Sequence, residues 1–237
     1  MATLRDRRHR PTAPRRFRRV AIAICAVAAS LAACTALQPP RVENANVYTL
    51  DVVPTFKAAS RQVDVVIAVA PPRAWPGFDS SQMIYVRSPY ALEAFAASRW
   101  TDAPAHMLGP LLARALEHAA SYRAVVQMPT AVATDLRVDT EIVRFQQNFA
   151  TRPSRAEIAI HVQLSDVRGR RVIASDVFED AENAASEDAA GGVVAMNIAL
   201  QRLLERIATF CVDASVAVKP QPHPPLSGGS ADQPAPR

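Results

Sequence analysis

Arg155-Ala-Glu-Ile-Ala-Ile-His-Val-Gln-Leu-Ser165, the break Asp166-Val-Arg-Gly-Arg170 and the return Arg171-Val-Ile-Ala-Ser-Asp-Val-Phe178 decide the fold. In the first arm Ala156, Ile158, Ile160, Val162 and Leu164 alternate with Glu157, His161 and Gln163. Successive side chains of a strand leave opposite faces, so one face of this arm meets a core and the other meets water. The polar break, with Gly169 available for a positive φ, predicts a hairpin turn. Arg171–Phe178 then returns as the antiparallel partner.

Upstream, Thr134–Phe145 repeats the pattern, with Leu136, Val138, Thr140 and Ile142 on one face and Arg137, Asp139 and Glu141 on the other. It reads as a half-solvated antiparallel strand. Asp135, Asp139 and Glu141 are spaced along it with arginine between them, as on a solvated face rather than an acid/base pair. Tyr122–Met128 and Val47–Val52 are further strands, and Ser81–Arg87 is a short one. Asp64–Ala70 is an unbroken apolar run, which places it centrally in a sheet covered by helices. Pro71–Asp79 is a proline-rich loop carrying Trp75 and Phe78. Those two aromatics fold back as a cap on the core or else contact lipid or a partner.

Tyr90–Trp100 reads as partly helical and leads into a first main helix between Asp102 and Ala120, with Leu108, Leu111, Leu112, Ala115 and Ala119 on one face. Thr101 or Asp102 is its cap. Pro110 requires that the regular helix start near Gly109 or bend there. The second helix spans Ser186–Ala208, with Glu187 and Asp188 in its first turn and Val193, Met196, Leu200, Leu203 and Ile207 as its buried stripe. Gly191-Gly192 implies close approach of helix to sheet, or a later helix start. The fold class expected is α/β (α+β): a mostly antiparallel sheet with two main helices packed against it, in a single domain.

The ends differ from this middle. Eight arginines between Arg5 and Arg19 precede the apolar run Val20–Ala33, which is too short to span a bilayer and reads as a signal peptide. It closes on Leu31-Ala32-Ala33-Cys34, which resembles the bacterial lipobox, with cleavage between Ala33 and Cys34 and lipidation of Cys34. Residues 34–46 then form a lipidated tether, 47–212 the domain, and 213–237 a disordered proline-rich tail. With residues 1–33 removed, 27 basic and 22 acidic residues become 19 and 21, so the mature net charge is −2. A nucleic-acid partner, which requires a basic surface, is excluded on that balance. Cys211 remains as a lone thiol, paired with a partner or buried as a small hydrophobe. No Cys/His spacing supports a metal and no Gly-x-Ser-x-Gly elbow supports a hydrolase, so no catalytic residue, metal or cofactor is expected.

In order along the chain, the lipobox, Tyr48-Thr-Leu50, Phe78-Asp-Ser-Ser-Gln-Met-Ile-Tyr85, Ser98-Arg99-Trp100 ahead of a proline-started helix, and Asp188-Ala-Ala-Gly-Gly-Val-Val-Ala195 resemble the ABC-type transport auxiliary lipoprotein component family, which includes the paraquat-inducible lipoprotein C. The resemblance implies a role in envelope lipid transport beside a mammalian-cell-entry (MCE) protein, a permease and an ATPase. It also implies an outer-membrane lipoprotein on the periplasmic face, without enzymatic activity, and a homo-oligomeric ring. Arg99 and Trp100 match a family position, and with Trp75 and Phe78 they are candidate partner or lipid contacts. The alternative function is a periplasmic lipoprotein that itself binds a lipid or small hydrophobe.

Overall fold

The computed structural model describes residues 45–53, 55 and 62–216, all within one compact unit, Asn44–Arg237. Among them are nine strands and two helices. The spine of the sheet is β7 (Leu136–Asn148), whose inward row Leu136, Val138 and Ile142 is at most 1 % exposed. Along one edge it pairs antiparallel with β8 (Arg155–Asp166), which pairs antiparallel with β9 (Arg171–Asn183). Along the other edge three strands meet it in succession, all parallel: β2 (Gln62–Val69), β3 (Arg73–Ala74) and β4 (Gln82–Val86). Beyond β2 lies β6 (Ser121–Gln127); beyond β4 lie β5 (Leu92–Trp100) and β1 (Asn46–Tyr48). The sheet is therefore mixed, with its longest ladders antiparallel. The apolar run of β2 is internal, between β6 and β7.

Helix α1 (Pro104–Ala119) packs on β6, β2 and α2 (Ala189–Val216), and α2 packs on β8 and β9. Their buried stripes and the inward rows of the sheet form one core. Residues Ala156, Ile158, Ile160, Val162 and Leu164 of β8 all face it, each at most 1 % exposed.

Several local expectations need correction. Leu92–Trp100 is a strand, not part of a helix: its Leu, Glu and Ala residues favour helix intrinsically, but pairing with β4 and β1 outweighs a preference of under about 1 kcal/mol per residue. Strand β9 runs on to Asn183, because Asp180 and Glu182 of its acidic end are held by Arg202 of α2. Helix α1 begins at Pro104 and runs through Pro110, with Ala103 as N-cap. Thr101 instead donates its hydroxyl hydrogen to the Tyr48 carbonyl (2.8 Å), and the Asp102 carboxylate accepts from the Ala103 N–H (2.7 Å). In the hairpin turn the positive φ belongs to Arg170 (50°), not to Gly169. The glycine serves another purpose, since the Asp166 carboxylate accepts its N–H and lies where a Cβ would stand.

Helix α2 starts after Asp188 and continues to Val216, well beyond Ala208. Asp213–Val216, assigned above to the tail, are helical, and the rest of that tail lies outside the described residues. Asp188 is not in the first turn. It precedes the helix and accepts the Gly191 N–H at 2.8 Å, as an N-cap does. That N–H, followed by the Ser186 hydroxyl, holds the Asp188 carboxyl below the usual carboxylate range, and the Ala103 N–H does the same for Asp102. A carboxyl depressed in the folded state contributes stability above its unfolded value and loses it as pH falls through the folded one. The urea midpoint should accordingly decline below about pH 4. Asp188→Asn keeps a capping side chain and should flatten part of that decline, measured by urea titration across the acid range.

Cys211 is fully buried in α2, and burial pushes its thiol up to about 12. It is thus a small core hydrophobe. Because the thiolate is the reactive form, a thiol reagent at neutral pH should leave Cys211 unlabelled in the folded protein and label it fully in denaturant.

Candidate docking surface

Two surfaces stand out beside the closed core. At the end of the sheet where α2 begins, Tyr85 (β4), Phe95 (β5) and Phe149, just past β7, form a half-buried aromatic cluster. Ring centroids lie 4.6 Å apart for Tyr85–Phe95, 5.7 Å for Tyr85–Phe149 and 6.2 Å for Phe95–Phe149. Tyr85 is the register partner of Gln147, and Gln147 lies against Gly192 of α2. Tyr85 therefore leaves the helix-bearing face of the sheet. Its hydroxyl donates to the Glu93 carboxylate at 2.9 Å, which raises the phenol above its ordinary range. Arg87 donates to the same carboxylate at 3.2 Å and lies over the Tyr85 ring at 4.8 Å.

Phe95 also lines a cleft of about 340 Å³ together with Tyr48, Ser98 and residues Glu187 to Ala190, where the chain enters α2. The β4–β5 hairpin carries Tyr90 at its tip, fully exposed and at φ 66°, and Leu92, 48 % exposed. The loop after β3 reaches the same hairpin: Gly77 is at φ +96°, and a Cβ there would meet Leu92 Cδ1 at 2.9 Å. Trp75 on that loop is 50 % exposed. The β4–β5 hairpin and the loop after β3 thus expose Tyr90, Leu92 and Trp75, with Leu92 on the face opposite Tyr85 and Trp75 beside the middle of β7, where its N–H donates to the Ile142 carbonyl at 2.9 Å.

The second surface is the polar row of the sheet. Arg73, Arg137, Asp139, Glu141, His161 and Arg170 are among the residues lining an open groove of about 630 Å³. Arg137 pairs with Asp139, and Arg171 with Asp166 at 3.5 Å. Asp135 is a structural brace: it accepts the Val66 N–H at 2.9 Å and pairs with Arg168 at 3.3 Å.

Of the four candidate contacts, the structure leaves two at the surface. Trp75 is half-exposed and Arg99 exposed. Phe78 is 8 % exposed, and Trp100, 3 % exposed, lies edge-on to Phe145 at 5.5 Å, so both are core residues. The four do not form one patch by burial. Ala33 and Cys34 lie outside the described residues. Sequence reasoning missed the Tyr85–Phe95–Phe149 cluster, since nothing in the separation of these residues along the chain announces a contact. Tyr90 opens a stretch that reads as partly helical in the sequence, and nothing there marks it as a surface anchor. Among the described residues no group of three or more His, Cys, Asp or Glu is placed to hold a metal, and no helix is long and apolar enough to cross a membrane.

The chain belongs to the ABC-type transport auxiliary lipoprotein component family, whose model matches residues 48–208. The match runs from the last residue of β1 through the other strands and α1 to most of α2. Among solved structures, protein XCC0632 from Xanthomonas campestris, of family DUF330, is similar at 24 % identity and a TM-score of 0.67, over 72 % of this chain and 97 % of that one. An uncharacterized protein is similar at 12 % identity and a TM-score of 0.56, over 70 % of this chain and 97 % of that one. Hypothetical protein CT253 from Chlamydia trachomatis is more distant, at 13 % identity and a TM-score of 0.45, over 65 % and 99 %. The first two likenesses show the fold. No curated protein matches the chain.

Proposed function

We propose that the protein is a non-enzymatic lipoprotein of the outer membrane, held on its periplasmic face by acyl chains on Cys34. There it docks the periplasmic MCE-type conduit of an ABC lipid transport system, with its permease and ATPase, to that membrane. The family match over residues 48–208 carries the reading. The lipobox-like Leu31-Ala32-Ala33-Cys34 supports the anchor. The aromatic end of the sheet supports docking, because tyrosine and tryptophan supply large contact area where a protein partner excludes water. Tyr90, Leu92 and Trp75 would make that contact, with the Tyr85–Phe95–Phe149 cluster behind them.

Crosslinked pull-down from intact cells tests the proposal. The full-length lipoprotein should recover an MCE-type protein, and Cys34→Ser should lose it. Recovery of unrelated envelope proteins alone would overturn the transport role. Tyr90→Asn tests the surface. Asn tolerates a positive φ better than Tyr, so folding stability should be unchanged or slightly higher. Recovery of the partner should nonetheless fall severalfold, as expected for loss of an exposed aromatic anchor.

A further inference from the structure

Beside the start of α2 the helix-bearing face of the sheet is incompletely covered. Helix α2 rests on β7, where Gly192 meets Gln147, whereas β5 and β1 lie further out, beyond β4. The cleft of about 340 Å³ opens in that space, with Asn46 and Tyr48 of β1 and Phe95 and Ser98 of β5 on one side and Glu187 and Asp188 on the other.

Every charge in this lining is negative. Glu187 accepts the Ser154 N–H through Oε1 at 2.9 Å, and Asp188 accepts the Gly191 N–H through Oδ1 at 2.8 Å. Those donors are neutral, and among the described residues neither carboxylate has a cation beside it. The partial charge at the start of α2 opposes a cation there, but at about half an elementary charge it is outweighed by two carboxylates. The Ser98 hydroxyl also has no partner among the described residues, although Ser98 is only 9 % exposed. A polar group so buried costs free energy until something bonds it. Phe95 and Tyr48 add two aromatic rings, which attract a cation and also pack against the apolar stem that carries it.

The lining therefore suits a cation on an aliphatic stem. A volume of about 340 Å³ lies near the lower end of the range for small-molecule sites, about 300–1,000 Å³, so the cleft admits one long side chain rather than a two-chain lipid. The adjoining backbone favours a polypeptide as its source. Strand β5 pairs with β1 only at residues 98–100, and among the described residues no strand lies along the outer edge of residues 92–97. An extended segment added at such an edge gains main-chain hydrogen bonds and turns alternate side chains towards one face.

We propose that the cleft receives a lysine or arginine side chain from an extended segment of a partner protein, the cation held by Glu187 and Asp188 and its stem lying on Phe95. That the partner is the transport conduit rests on the docking reading above, whereas the preference for a cation does not.

The full chain carrying Cys34→Ser, free of its own acyl chains, is titrated with the end-blocked peptide Thr-Val-Lys-Val-Thr and with its norleucine counterpart, which keeps the stem and lacks the charge. Binding is followed by amide chemical shifts. The lysine peptide should bind about fivefold more tightly, as expected of two partly exposed charge pairs, and should shift the amides of Ser98 and Ala190. Glu187→Gln with Asp188→Asn should bring the two peptides to equal affinity. Both replacements keep the oxygens that accept from Ser154 and Gly191, so the thermal midpoint at neutral pH should stay near that of the parent and separate lost binding from lost folding. Equal affinities in the parent, or a lysine preference that survives in the double variant, overturn the proposal. So does phosphoethanolamine binding as tightly as the lysine peptide, which makes the cleft a site for small ammonium groups. Arg41, upstream of Asn46, is the rival occupant within the chain. Lysine binding that appears only after Arg41→Gln assigns the cleft to that residue and overturns the role of a partner. A failed pull-down with the lysine preference intact removes the conduit as partner and leaves the chemistry of the cleft standing.

Discussion

Leu200→Ala should lower the free energy of unfolding by about 2–5 kcal/mol, the cost of lost burial plus the cavity left behind. Leu200 is 0 % exposed, midway along a helix that packs on β8, β9 and α1 at once. Its neighbours Leu203, Leu204 and Ile207 are equally buried, so the surrounding side chains already fill their own sites. Rigid elements on three sides limit collapse into the space, which places the expected cost in the upper part of that range. Against a total stability of about 5–15 kcal/mol the loss is large. Leu92→Ala is the matched control: Leu92 is 48 % exposed, and its truncation should cost less than about 1 kcal/mol. Urea unfolding followed by circular dichroism measures both. Equal midpoints for the two variants would show that α2 is not the keystone of the core.

Gly192→Ala should also destabilise the protein, by about 1–3 kcal/mol, although alanine is the better helix former by about 1 kcal/mol. A Cβ at position 192 would overlap the side-chain amide of Gln147 on β7. That amide is not free to swing away, since Gln147 is 4 % exposed and donates through Nε2 to the Ser154 hydroxyl at 2.9 Å. The glycine thus lets the first turn of α2 lie directly on the sheet. Gln147→Ala opens the space, so Gly192→Ala should be tolerated in that background and should contribute its helix preference. A double-mutant cycle reads this coupling directly. If Gly192→Ala alone stabilises the protein, Gln147 yields, and close approach is not why glycine stands there.

Much of the fold was legible because its signal is local. The alternation of Ala156 to Leu164 required one strand face to be buried, and the structure buries all five apolar positions. The stripe of Val193, Met196, Leu200, Leu203 and Ile207 placed α2, and the unbroken run in β2 placed that strand inside the sheet. Where local preference and pairing disagreed, the sequence misled. Leu92–Trp100 carries helix-favouring residues yet pairs with two strands, and Glu179–Asn183 looks too acidic for a strand until Arg202 is opposite it.

The candidate surface was less legible than the fold. Trp75, Phe78, Arg99 and Trp100 attract attention as residue types, but burial separates them, and only the folded chain tells which two remain outside. Tyr85, Phe95 and Phe149 come together because β4 pairs with both β5 and β7, a contact made across more than sixty positions of chain. The charges of the polar face are similar, since only pairing across the sheet sets Arg73 beside Glu141 and Glu141 beside His161.

The sequence by itself determined the buried face of the hairpin arm and the buried stripes of the two helices, because periodicity is set by the geometry of the single element. Which strand lies beside which, where the sheet stays uncovered and which charges face one another across it were decided only by tertiary structure. Those properties depend on pairs of residues remote in the chain, and the free energy that selects their register belongs to the whole sheet and its packed helices rather than to any one segment.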